Sequence, residues 1–149
     1  MESRVEKAKE LFKSGYNCSQ SVFMAYADLF DMDNATAAKI SAGLGGGVGR
    51  MREVCGAVTG MTLLAGLKYG ATEGDDTESK QKTYEVVRAL SEEFKKTNPS
   101  IICKELLGLA QAEKSAKPEE RTQEYYQKRP CVEIVGDAAK AVEKILFSE

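Results

Sequence analysis

Apolar residues in this chain recur three and four positions apart almost from end to end, and β-branched residues alternating with polar ones are nowhere sustained. That periodicity puts an apolar stripe on each of several helices and leaves no half-buried strand. The predicted fold class is therefore all-α, a bundle of about six to seven helices. At 149 residues with 42% hydrophobic content, the chain reads as one domain over residues 1–149, large enough to bury a core without disulfides.

Local signals place the helices. Val5, Ala8, Leu11 and Phe12 form one face of a first helix, which Ser14-Gly15 stops. Asn17 with Gln20 three residues later is a capping-box pattern with Asn in the usual Ser/Thr position. It opens a second helix at Cys18 that continues through Val22, Phe23, Tyr26, Leu29 and Phe30. Asp33-Asn34 caps a short helix to Ala42, and the glycine-rich run from Gly43 to Gly49 then breaks regular structure.

Helical spacing resumes at Glu53 and runs to Tyr69-Gly70. This stretch is small or apolar on every side, with Gly56 and Gly60 one turn apart and Gly66 and Gly70 likewise, so it is the expected buried Gly/Ala-rich centre of the bundle. Its charged ends and roughly sixteen residues are too short for a membrane span. Gly74-Asp75-Asp76 starts a long amphipathic helix through Tyr84, Val87, Leu90 and Phe94, its acidic residues acting as cap and dipole partners. A short helix from Ile101 to Leu107 and a last one beginning at Cys131 complete the series. Residues 111–129 are polar and are open to three readings: loop, partial helix or lid.

The chemistry rests on four cysteines, Cys18, Cys55, Cys103 and Cys131, in a chain without histidine. Each is expected in the first turn of a helix, where unpaired N–H groups and the helix dipole favour thiolate. Without histidine there is no Cys-His dyad, Ser-His-Asp triad or mixed Cys/His zinc site. No C-x-x-C pair occurs, so only the fold can bring the thiols together. Four thiols match the ligand count of iron–sulfur and zinc tetrathiolate centres. A thiol–disulfide oxidoreductase using a pair that includes Cys55, a structural four-cysteine zinc module, and inert buried thiols are the other readings.

The glycines preceding Cys55 suit a loop whose backbone passes close to another group, with N–H groups available to an anion or a cluster sulfide. Arg50 and Arg52 could steady thiolate charge or pair with Glu53. No strand precedes the run and no Gly-Lys-Ser/Thr follows, so neither a dinucleotide fingerprint nor a P-loop is present. A formal charge of -2 offers phosphate backbones little attraction, which argues against nucleic acid. The N-terminus is charged from its second residue and lacks an apolar core, so the expectation is a cytoplasmic protein with no transmembrane segment. A homodimer is a mild expectation, and the redox partner protein is left unspecified.

Cys55-Gly-Ala-Val-Thr-Gly60, with Cys18 before it and Cys103 and Cys131 after it, resembles the four-cysteine CGAxxG family of redox-active proteins, whose pattern is written C-GCAxxG-C-C. The likeness runs from Tyr16-Asn17-Cys18 to Cys131. It implies a small helical domain with a redox role, and a similar domain in split-Soret cytochromes is associated with an iron–sulfur centre. What the resemblance implies here is an iron–sulfur cluster held by Cys18, Cys55, Cys103 and Cys131, for electron transfer or redox sensing. Haem attachment is not implied, since the chain lacks C-x-x-C-H.

Overall fold

Helix starts are set largely by side chains that satisfy the first unpaired N–H groups. In the computed structural model, which describes residues 1–108, 116–123, 125 and 130–148, the helices are α1 (Val5–Lys13), α2 (Cys18–Ala27), α3 (Asn34–Ala42), α4 (Gly56–Tyr69), α5 (Thr77–Lys95), α6 (Cys103–Leu106) and α7 (Cys131–Leu146). A 3-10 turn at Asp28–Phe30 ends the second helical run, where a continuous helix was expected. There is no strand among the described residues, only an isolated antiparallel bridge between Val54 and Ile102. No helix among them is long and apolar enough to cross a membrane.

The capping box at α2 forms as predicted. Asn17 Oδ1 accepts from Gln20 N at 2.9 Å and Gln20 Oε1 accepts from Asn17 N at 3.0 Å. Both side chains also donate to α3, Asn17 Nδ2 to the Ala42 carbonyl and Gln20 Nε2 to that of Ala38. The box therefore fixes the end of α3 against the start of α2. Replacing Asn17 by Ala should cost about 1 kcal/mol and lower the thermal midpoint by about 2–4 °C. Asp33 and Asp76 cap α3 and α5 by accepting from Thr36 N and Ser79 N.

Helix α4 packs against α2, α5 and α7, as the expected central element should. Its glycines set the closest approach: a Cβ on Gly56 would lie 3.0 Å from Ser19 N, and one on Gly60 would lie 3.0 Å from Ser19 O and from Val22 Cβ. The first turns of α2 and α4 can thus meet backbone to backbone. Around that contact Val22, Phe23, Tyr26, Val58, Met61, Leu64, Leu90, Phe94, Val135 and Val142 fill one core. The start of α4 differs from the sequence expectation. Glu53 and Val54 do not continue the helix, because their backbones pair with the segment before α6: Cys55 N donates to Ile101 O at 2.7 Å and Cys103 N to Glu53 O at 2.6 Å.

Candidate functional site

That pairing has a chemical result. It holds Cys55, the N-cap residue of α4, beside Cys103, the first residue of α6. The α2–α4 contact brings in Cys18, first residue of α2, whose Cβ lies 3.2 Å from where a Gly56 Cβ would be. Cys131, first residue of α7, completes the set. Asn98 helps to place it, since its amide Nδ2 donates both to Phe94 O of α5 and to Asp137 Oδ2 of α7. All four cysteines line one cavity of about 310 Å³, and all four are thiols rather than disulfides.

The sulfurs are not equivalent. Cys18 and Cys131 are near enough for Cys131 to act on the Cys18 thiol through hydrogen bonding and charge. Cys55 is 4% exposed and Cys103 7%, while Cys18 and Cys131 are half-buried. The Cys103 sulfur accepts from Arg52 Nη1 at 3.6 Å. Among the described residues no group of three or more Cys, Asp or Glu side chains is arranged to hold a metal ion.

Electrostatics differ from what helix starts alone suggest. Cys18 is raised well above the ordinary thiol range by its hydrogen bond with Cys131, by burial and by the neighbouring thiols. Burial pushes Cys55 up to about 12, even though the amides of Ala57 and Val58 act in the opposite direction. Desolvation of a charged sulfur in an apolar pocket outweighs the pull of the helix terminus. Cys18 and Cys55 are therefore protonated at neutral pH.

The glycine-rich loop forms one wall and has an unusual backbone. Every residue from Gly46 to Arg50 has φ between 56° and 70°, and Arg52 follows at 61°. Glycine adopts such angles freely, but Val48, Arg50 and Arg52 each pay about 1–2 kcal/mol. The turn is held by Gly49 N donating to Gly43 O, Arg52 N to Gly46 O and Glu53 N to Gly47 O. A side chain on Gly47 would meet Cys103 Cβ at 2.6 Å, the close approach expected of this run.

Ala116, Pro118, Glu119, Arg121 and Tyr125 supply another part of the lining. The rest of the polar stretch 111–129, whose order the sequence left open, lies outside the described residues apart from 116–123 and 125. Arg121 anchors this cover by donating to Phe12 O at 2.9 Å and Tyr16 O at 3.0 Å, just where α1 ends. Its guanidinium lies 4.2 Å from the Phe12 ring centroid. Arg50 Nη1 donates to the Lys117 carbonyl from the glycine loop. Sequence reasoning reached Arg50 and Arg52 by their nearness to Cys55 but had no signal for Arg121, whose partners lie more than a hundred residues away.

A helical bundle in which four helix starts surround a cavity with one thiol each defines a four-cysteine redox class of protein. The chain belongs to that family: residues 16–145 match the one described as "Putative redox-active protein (C_GCAxxG_C_C)". No curated protein and no solved structure gives a match.

Proposed function

We propose that Cys18, Cys55, Cys103 and Cys131 hold an iron–sulfur cluster and that the protein carries or senses electrons. The observation that carries this reading is the lining of one cavity by all four thiols. The donor set fits the group in chemistry and number. Four thiols match the ligand count of zinc as well as of iron–sulfur centres, and the family's redox description favours the iron–sulfur group over redox-inert zinc. When bound, such a cluster supplies one-electron chemistry at a potential set by charge and by hydrogen bonds to its sulfurs.

The protein's own groups have defined work in that scheme. The first turns of α2, α4 and α7 offset negative charge on the ligand sulfurs. Phe12, Leu106, Leu107 and Ile134 keep the pocket apolar. The Cys18 and Cys55 thiols release their protons when a metal binds, so loading is favoured by raising the pH.

The closeness of Cys131 to Cys18, which raises the Cys18 thiol, favours a second reading, in which that pair cycles between dithiol and disulfide. Anaerobic purification with iron and sulfide analysis separates the two. The cluster reading expects a brown protein with iron and acid-labile sulfide in equal amounts, lost in the Cys55→Ser variant. A protein that stays free of sulfide after anaerobic reconstitution, and forms a reversible Cys18–Cys131 disulfide on oxidation, would refute it in favour of the second.

A further inference from the structure

We propose that Arg52 is a positioning residue that sets the reduction potential of the four-thiol centre through Cys103, an inference that rests on the cluster reading above. Arg52 is a charged residue only 7% exposed, and it holds a φ of 61°, where L side chains are disfavoured. Backbone strain and a buried charge at the same residue are both costly, and both are accepted here in a wall of the thiol cavity. The side chain is aimed at the thiols, donating from Nη1 to Cys103 Sγ at 3.6 Å.

The geometry is held from both sides. Arg52 N donates to Gly46 O at 3.0 Å, Lys104 N donates to Arg52 O at 3.2 Å, and Cys103 N donates to Glu53 O at 2.6 Å. Donor and sulfur thus belong to one hydrogen-bonded clamp and cannot drift apart independently. Cys103 is distinguished from Cys18, whose sulfur partner is another thiol.

With a cluster held by the four cysteines, one electron from an external one-electron reductant would add a single negative charge to the centre. No bond to sulfur forms or breaks and no proton is required. A fixed guanidinium and an N–H donor at a coordinating sulfur stabilise the reduced form more than the oxidised one, which raises the potential.

The test is a potentiometric titration with dithionite of the anaerobically loaded protein, compared with Arg52→Met, Arg52→Gly and Arg52→Lys. Iron and sulfide content and the thermal midpoint of the ligand-free form are measured alongside. The Met and Gly variants should keep wild-type iron and sulfide but titrate at a more negative potential, with Lys in between. The ligand-free Gly variant should melt no lower than wild type, because φ 61° suits glycine. Loaded Met and Gly variants with the wild-type potential would overturn the inference while leaving the cluster reading intact. Loss of the cluster from all three variants would also overturn it, making Arg52 a support of the loop. A wild-type protein that takes up no cluster removes the cluster reading and this inference together.

Discussion

Gly60→Leu is expected to destabilise the protein by about 3 kcal/mol or more, while Gly66→Ala, in the same helix, is expected to stabilise it by about 0.5–1 kcal/mol. The opposite signs come from what each glycine faces. At Gly60 even a Cβ would sit 3.0 Å from Ser19 O and Val22 Cβ, both part of α2, so a larger side chain must push the two helices apart. Their shared interface holds Val22, Phe23, Val58 and Met61, all buried, and none can be separated without losing packing. At Gly66 nothing lies within 4 Å, so alanine gains helix propensity without a clash. Urea denaturation of the ligand-free proteins reads both effects. Because the same contact positions Cys18 against Gly56, the cluster reading also expects the Gly60→Leu variant to hold less iron. A Gly60→Leu protein as stable as wild type would show that close α2–α4 packing does not organise the fold.

Much of the architecture is legible because local rules act at short range. Asn17 with Gln20, Asp33 and Asp76 announce three helix starts, and each caps as its chemistry requires. The Gly/Ala-rich stretch to Tyr69 becomes the central α4 for the reason its composition suggests: neighbours come too close for side chains. Other features depend on long-range contacts that periodicity does not encode. The bridge between Val54 and Ile102 delays α4 to Gly56, and no spacing rule links residues so far apart. The left-handed conformations of Val48, Arg50 and Arg52 run against their intrinsic preference and persist because the loop's hydrogen bonds and the cavity wall impose them.

The thiols illustrate the same division. Their placement at helix starts was readable, with Cys18, Cys103 and Cys131 opening helices and Cys55 capping one. Their protonation was not, since a helix terminus favours thiolate only where water or a counter-charge remains close. Cys18 is instead held as a thiol by Cys131 and by burial, and Cys55 by burial.

That protonation yields the second large effect, a steep loss of stability of the ligand-free protein above about pH 9. Cys55 is held near 12 in the folded state, whereas an unfolded cysteine titrates near 8.5. Between those values the unfolded chain has lost a proton that the folded chain keeps, so stability falls as pH rises. The stabilisation is whole below the unfolded value and is lost progressively toward 12, at a slope approaching about 1.4 kcal/mol per pH unit for this group. Cys18 shifts in the same direction through Cys131 and burial, and Tyr26 does so through burial and its 2.5 Å hydrogen bond to Glu143. Each steepens the fall where it titrates. Urea midpoints at pH 7, 9 and 10.5 should therefore drop sharply across the last interval. On the cluster reading the loaded protein should lose far less, because ligand thiolates have already given up their protons and the remaining loss comes from other groups with raised values, Tyr26 and Lys96 among them. Equal alkaline losses in both forms would mean that the cysteines keep their protons in the loaded state and do not act as ligands.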